Sequence, residues 1–220
     1  MRPHFIDRTD AGRVLARLLE TYRGRTDVIL LALPRGGVPV AYEIASELDI
    51  PMDLLIVRKL GTPLYPEVAM GAIASGNVRV LNDDVLFSYG LDERAIESVQ
   101  RKENAELHRR ERVYRGERPP PMVRGQQVIL VDDGLATGAT MLCAVKAVRR
   151  QLPARIVVAI PVAPLEVVAE LREEVDEVVC PYTPEPFSAI SRWYEHFEQT
   201  HDKEVLELLQ RVWQRKKQAR

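Results

Sequence analysis

The segment from Val128 to Met141, VILVDDGLATGATM, constrains the fold more than any other part of the sequence. Its first four residues are apolar and β-favouring, and such a run predicts a strand that is buried on both faces, as in a parallel sheet. Asp132 and Asp133 follow at the carboxyl end of this strand. Ligands of open α/β sheets bind beyond the carboxyl ends of the strands, so this corner predicts a functional site.

The loop after the two aspartates has the composition of an anion site. Small residues let backbone N–H groups approach a ligand closely, threonines add hydroxyl donors, and the helix that follows favours a phosphate at its N-terminus. Asp132 and Asp133 would accept hydrogen bonds from a ribose 2,3-diol or hold Mg2+. The alternative is an ordinary strand–loop–helix corner with two solvated aspartates. The loop residues are Gly134, Leu135, Ala136, Thr137, Gly138, Ala139 and Thr140.

Together, the strand, the acidic pair and the loop GLATGAT resemble the signature of the type I phosphoribosyltransferases, which bind 5-phosphoribosyl 1-diphosphate (PRPP). The resemblance implies that Asp132 and Asp133 hold the ribose hydroxyls and that the loop holds the 5-phosphate. It also implies Mg2+ as cofactor, which the two aspartates would contact indirectly through ribose hydroxyls or water. The implied reaction transfers the 5-phosphoribosyl group to a nitrogen acceptor, with a nucleobase expected, and releases pyrophosphate. A homodimer is a further expectation from the family.

A second loop of the same type lies earlier in the chain. Residues 28–33 predict a buried strand, which ends in Pro-Arg-Gly-Gly before a helix predicted from about Val38 to Leu48. Alone, this tetrapeptide is more often a plain turn than a ligand site. In the resembling family this loop binds the pyrophosphate of PRPP, so Arg35 becomes a candidate for a charge-assisted contact, with Gly36 and Gly37 supplying N–H groups.

A third predicted strand, from Pro51 to Val57, is followed by two cations. We expect Arg58 and Lys59 on the ligand side of the sheet, where Lys59 is the preferred polyphosphate contact and Arg58 could instead lie along the sheet edge. Residues 69–74 and 78–81 then predict a hairpin. Type I phosphoribosyltransferases carry a mobile flap in this region, which closes over PRPP and excludes water.

Strands and helices continue to alternate after the central motif. Arg155–Val162 and Glu177–Cys180 predict two more strands around an intervening helix. This alternation predicts an α/β fold with an open, mainly parallel sheet flanked by helices. We expect a single phosphoribosyltransferase-like domain over residues 1–220, with its core at about 10–181, a flap, and a small C-terminal hood at 182–220.

Two helices outside the predicted sites are assigned structural roles. Asp10 is expected to cap a first helix that runs to about Tyr22. Residues 91–118 predict a long, highly charged helix capped by Asp92, which we interpret as a solvated arm, with a minority alternative in which its arginines reach a polyphosphate or a dimer partner.

Acceptor specificity is expected in the tail. In 6-oxopurine phosphoribosyltransferases an aromatic residue in a similar proline-rich segment stacks on the base, and Phe187 matches that place. The alternative is that the aromatic residues of the tail seal a small apolar lobe. Ala136 stands where the hypoxanthine-type enzymes have an aspartate, and Glu195 is a weak match to their base-reading acid. The acceptor therefore stays open.

Composition excludes several other classes of protein. The chain has 31 Lys and Arg against 32 Asp and Glu, a net charge of −1, which argues against a surface that coats nucleic acid. No apolar run reaches the roughly 18 residues of a membrane span. Two cysteines without metal-binding spacing favour a reducing cytoplasm.

Two other functions are compatible with parts of this pattern. A non-catalytic regulator could use the same loops to sense PRPP and control a partner or a nucleic acid. An aspartate-phosphorylated receiver domain is a weaker alternative, because its acidic pair lies near the first strand, whereas this pair lies past the midpoint of the chain.

Overall fold

The computed structural model describes residues 4–218, which form a sheet-centred α/β fold. The strands are β1 (Val28–Ala32), β2 (Met52–Leu54), β3 (Val57–Gly61), β4 (Ala69–Ala74), β5 (Val78–Leu81), β6 (Gln127–Val131), β7 (Arg155–Ala159) and β8 (Glu177–Val179). The helices are α1 (Arg8–Leu18), α2 (Gly37–Leu48), α3 (Asp83–Ser88), α4 (Glu93–Arg115), α5 (Ala139–Arg149), α6 (Leu165–Glu174) and α7 (Asp202–Gln218).

Five parallel strands form the central sheet in the order β2-β1-β6-β7-β8, which confirms the predicted fold class. β1 and β6 are neighbours, and Leu31 and Ala32 pair with Leu130 and Val131. Because both strands end at the same edge, the two glycine-containing loops that follow them emerge side by side.

Apolar side chains cover both faces of this sheet, as the uninterrupted apolar runs predicted. Alternate strand residues point to opposite faces, so Leu30 and Ile129 pack toward α1, α2 and α7, whereas Leu31 and Leu130 pack toward α5 and α6. Each fully buried leucine or isoleucine contributes about 1.5–3 kcal/mol to stability. The sheet edge that carries the site is thus held by a rigid core.

The prediction of one strand over residues 51–57 is wrong. β2 ends at Leu54, and β3 belongs to a separate antiparallel sheet in the order β3-β4-β5. Apolar periodicity cannot separate one buried strand from two short ones. Arg58 and Lys59 therefore lie inside β3 and not at the carboxyl end of a central strand. The predicted hairpin is confirmed as β4 and β5.

Helix starts were predicted with mixed success. Asp92 caps α4 by accepting a hydrogen bond from the N–H of Ala95, as predicted. The cap of α1 is Asp7, and the N–H of Asp10 donates to its side chain, so the predicted start was three residues late. The interpretation of α4 as a solvated arm is wrong in part, because Leu107 and Tyr114 are buried in the core.

The hood is built from both ends of the described chain. Phe5 forms a parallel bridge with Tyr194, and both rings pack with Trp193 and Val162 into a small apolar cluster, which we call the hood cluster. The ring of His4 stacks on that of Trp193 at 5.4 Å. Sequence analysis had placed only C-terminal residues here. Within residues 4–218, no helix has the length and apolar character that crossing a membrane requires.

A buried ion pair ties α4 to the central sheet. Nη1 of Arg115 lies 2.8 Å from Oδ1 of Asp53, and the two side chains are only 3% and 7% exposed. Arg115 also donates to the carbonyl of Leu54. α4 is therefore anchored at the end of β2 although 61 residues separate Arg115 from Leu54.

Asp53→Asn should destabilise the fold by roughly 3–5 kcal/mol, because it leaves the Arg115 guanidinium buried without its counter-ion. The free energy of unfolding in urea measures this change. The matched control is Asp27→Asn, which breaks an exposed pair with Arg25 and should change the free energy of unfolding far less, because water screens that pair. Equal costs for the two variants would contradict the anchoring role.

Candidate functional site

The two predicted loops contact each other at the carboxyl edge of the sheet. A β-carbon at Gly36 would lie 2.5 Å from Cγ of Asp133, and one at Gly37 would lie 2.6 Å from the carbonyl oxygen of Val131 and 2.9 Å from Cα of Asp132. Real side chains do not approach this closely, so both glycines are needed for the loop after β1 to reach the acidic pair.

The loop from Gly134 to Thr140 leads directly into α5, with Gly138 as the helix N-cap. Gly134 and Gly138 have φ angles of +147° and +69°, which favour glycine. The N–H of Leu135 donates to the carbonyl of Val162 at 3.0 Å, so this donor is committed within the fold. Leu135, Gly134 and Gly138 are buried and Ala139 is half-buried, whereas Ala136, Thr137 and Thr140 are exposed.

The two aspartates are packed together and partly buried. Oδ1 of Asp132 accepts a hydrogen bond from the N–H of Asp133 at 2.9 Å. Burial, and next the charge of Asp133, raise the pKa of Asp132 well above its ordinary value. Burial also raises the pKa of Asp133, and the nearby Arg8 opposes that effect. Such a pair attracts hydrogen-bond donors or a cation.

Arg35 lies in the turn between β1 and α2, after a cis peptide bond that joins it to Pro34. Its Nη1 is 3.6 Å from Oδ1 of Asp202, which accepts a hydrogen bond from the hydroxyl of Tyr114 at 2.6 Å. The Arg35 side chain is 35% exposed. The guanidinium is therefore held only loosely beside α7.

A cleft of about 730 Å³ adjoins both loops, and residues of β3 and α4 line it. Nζ of Lys59 donates to the carbonyl of Glu67 at 3.0 Å, and in the described part of the chain no carboxylate lies within 4 Å of it. Arg58, in contrast, pairs with Glu103 of α4 at 2.6 Å. The residues that line this cleft include Pro34, Arg58, Lys59, Thr62, Ser98, Lys102, Glu103, Arg110 and Thr140.

The acidic pair has suitable donors for Mg2+ but does not form a complete site. Among residues 4–218, no group of three or more histidine, cysteine or acidic side chains is placed to hold a metal ion. Mg2+ prefers oxygen ligands, keeps several waters, and commonly binds through one or two carboxylates together with substrate phosphates. Asp132 and Asp133 therefore fit an ion whose remaining ligands come from water and a phosphorylated substrate.

Comparison with known proteins assigns the family. The profile of the phosphoribosyl transferase domain matches residues 8–189. The chain belongs to the phosphoribosyl transferase family. The matched range contains both glycine loops, the acidic pair and Lys59 of this phosphoribosyl transferase domain, whereas most of the hood cluster lies outside it.

Three similar proteins support the assignment. Two proteins of Mycobacterium tuberculosis, from strains CDC 1551 and H37Rv, carry the name "Putative phosphoribosyl transferase" and are each 46% identical to the chain over 208 residues. The match covers 94% of this chain and 47% of theirs, so the chain spans about half the length of these curated relatives. The crystal structure of TT1426 from Thermus thermophilus is 39% identical, with a TM-score of 0.87, over 96% of this chain and 99% of that chain.

The predicted acceptor residue lies in the hood of this phosphoribosyl transferase domain. Phe187 is half-buried and packs against the hood cluster. Glu195 is exposed, and its N–H donates to the carbonyl of Phe5 at 2.9 Å. Sealing of an apolar lobe is thus observed for these aromatic residues, while base stacking by Phe187 stays a prediction.

Sequence analysis missed two residues that contact the acidic pair. Nε of Arg8 donates to Oδ2 of Asp133 at 2.8 Å, and the hydroxyl of Tyr194 donates to the carbonyl of Asp133 at 2.6 Å. Burial raises the pKa of Tyr194, so its hydroxyl stays protonated and donates. Arg8 lies 125 residues before Asp133, and no local pattern distinguishes it from the other arginines of the chain.

Asp132→Asn should stabilise the metal-free, ligand-free protein above pH 7. The pKa of Asp132 is higher in the folded protein than in the unfolded chain. At a pH at which the unfolded chain has this carboxyl ionised, folding therefore costs free energy. That cost grows as the pH rises from about 4 through the raised pKa, so the variant should gain stability at pH 8 and almost none at pH 4. Urea unfolding at both pH values, with EDTA present, measures the difference. A variant less stable than wild type at pH 8 would contradict the argument.

Proposed function

We propose that the chain transfers the 5-phosphoribosyl group from PRPP to a nitrogen acceptor and releases pyrophosphate. The observation that carries the proposal is the contact between two glycine loops and one acidic pair, which the pairing of β1 with β6 creates. PRPP carries a phosphate, a diol and a pyrophosphate, and the site has a group suited to each. Family membership supports the same reaction.

The 5-phosphate would bind at the loop that ends in α5. Thr137 and Thr140 expose hydroxyl donors there, and the helix N-terminus adds backbone N–H groups and a favourable dipole. These contacts lie away from the reacting carbon, so they position it without opposing the bond changes.

The acidic pair would bind the ribose. Asp132 and Asp133 accept hydrogen bonds from the 2- and 3-hydroxyls, and their negative charge favours the positive charge that develops at the anomeric carbon. Mg2+, bound with PRPP, would supply positive charge to the pyrophosphate and ribose oxygens.

The pyrophosphate would occupy the cleft beside the turn after β1. Gly36 and Gly37 face the acidic pair there, and Arg35 and Lys59 supply positive charge that offsets the charge growing on the leaving group. Lys59 is well suited because, within the described residues, its ammonium contacts a carbonyl oxygen and no carboxylate. Residues 62–66 border the same cleft, and their movement over bound PRPP would exclude water.

The acceptor would approach from the hood, where Phe187 lies. We propose a nucleobase as the acceptor class, a homodimer as the assembly and the cytoplasm as the compartment. The absence of a disulfide between the two free cysteines is compatible with that compartment. The sensing of PRPP without catalysis is the competing function, since it would need the same three binding groups.

Calorimetric titration with PRPP and Mg2+, followed by a pyrophosphate-release assay over purine and pyrimidine bases, tests the proposal. Binding with release for one base is the expected result, and an Asp132→Asn, Asp133→Asn double variant should lose both. Binding without release for any base would favour the PRPP sensor. No binding by the wild-type protein would overturn the assignment of the site.

Lys59→Met should weaken pyrophosphate and PRPP binding by roughly 10- to 100-fold, the loss expected for one charge-assisted hydrogen bond. Binding of ribose 5-phosphate should not change, because that ligand lacks the pyrophosphate. The matched control is Lys203→Met, which removes an ammonium from α7 that is 89% exposed. If ribose 5-phosphate binding falls as much as PRPP binding, Lys59 does not contact the pyrophosphate.

Phe187→Ala should raise the KM for the acceptor by roughly tenfold or more, as expected for the loss of a base–aromatic contact. The Kd for PRPP should stay within about twofold of the wild-type value, because Phe187 lies in the hood. Phe87→Ala, at an exposed phenylalanine of α3, is the control. A larger effect on PRPP than on the acceptor would place Phe187 outside the acceptor site.

A further inference from the structure

The two aspartates of the acidic pair have different surroundings. Oδ2 of Asp133 contacts the Arg8 guanidinium, and its carboxylate lies over Gly36. Oδ1 of Asp132 accepts a hydrogen bond from the N–H of Asp133 at 2.9 Å. No arginine, lysine or histidine nitrogen of residues 4–214 lies within 4 Å of the Asp132 carboxylate.

We infer that Arg8 positions the acidic pair for the ribose diol: Arg8 holds the Asp133 carboxylate, and the N–H of Asp133 orients the Asp132 carboxylate. Arg8 is thus a positioning residue for PRPP binding. The inference rests on the proposed function and assigns roles within its ribose site.

Arg8 is fixed by three contacts that together leave it little freedom. Its Nε binds Asp133, its Nη1 donates to the carbonyl of Glu198 at 2.8 Å, and its guanidinium lies 3.9 Å from the ring centroid of Phe197. The Arg8 and Asp133 side chains are each 13% exposed. A planar guanidinium can donate to the Asp133 carboxylate and to the Glu198 carbonyl at the same time. A lysine ammonium does not have this forked geometry.

Asp133 in turn has little freedom to move. Arg8 holds its side chain, and Tyr194 donates to its carbonyl. Its N–H donates to the Asp132 carboxylate at 2.9 Å. A fixed Asp133 therefore fixes the orientation of the Asp132 carboxylate. A carboxylate that is already oriented loses no rotational freedom when the diol binds.

This arrangement links the hood to the ribose site. Arg8 belongs to α1, while Glu198, Phe197 and Tyr194 belong to the C-terminal part of the hood. A contact that positions a ligand group through a second residue typically changes affinity by about 10- to 100-fold in metal sites, and we expect the same range here.

Calorimetric titration with Mg2+ and two probes, PRPP and ribose 5-phosphate, tests the inference. Arg8→Met should weaken both ligands about equally, by roughly 10- to 100-fold, because both present the same diol. Arg8→Lys should restore part of the loss. The control is Arg13→Met, on the same helix, whose side chain is 53% exposed and 3.5 Å from Glu43. It should bind both ligands as wild type does.

A double-mutant cycle separates positioning from plain stabilisation of the fold. If Arg8 acts through Asp133, the Arg8→Met, Asp133→Asn variant should bind PRPP no more weakly than Asp133→Asn alone, and Asp132→Asn should be the most damaging single change. Tyr194→Phe, which leaves the ion pair intact, should cause a smaller loss. Melting temperatures of all variants identify any that fail to fold.

Three outcomes would count against the inference or its basis. If wild type binds PRPP and Arg8→Met matches Arg13→Met, Arg8 has no positioning role. Additive losses in the double variant would show that Arg8 acts independently of Asp133. If wild type binds neither probe, the proposed function itself fails, and this inference fails with it.

Discussion

The close approach of the loop after β1 to the acidic pair after β6 is the constraint on which the site depends. Strand order brings the two loops to one edge, and the lack of a side chain at Gly36 and Gly37 lets them contact. A side chain at either glycine would overlap the loop after β6 and displace the aspartates, even with no ligand bound. The chemistry of the site is therefore set by backbone packing as much as by charged groups.

Much of this corner could be predicted from the sequence because its determinants are local. An apolar run, two adjacent aspartates and a glycine-containing loop lie within 14 consecutive residues. The apolar run predicts a buried strand, and the glycines predict a tight loop after it. The same holds for the Asp92 cap and the β4–β5 hairpin. Their structures depend on residues only a few positions away, so periodicity and turn composition were sufficient.

The features that could not be predicted depend on contacts between distant residues. The pair formed by Asp53 and Arg115 and the pair formed by Arg8 and Asp133 join separate elements, and any of the other arginines would have been an equally reasonable partner. β2 ends at Leu54, whose carbonyl accepts a hydrogen bond from Arg115, and β3 pairs with β4 in the second sheet. Sequence patterns identify helices and strands, but they do not show which charged residues pair across the fold.

The hood has a consequence for comparing members of this family. The region that defines the family begins at residue 8 and ends at residue 189, so Phe5, Trp193 and Tyr194 fall outside it although they pack as one cluster. Two homologues can agree throughout the shared region and still differ in the hood cluster, where Tyr194 contacts the carbonyl of Asp133. The surroundings of the acidic pair can then diverge during evolution without any change in the two glycine loops. Subfamilies drawn from the hood residues would separate enzymes that the shared core groups together.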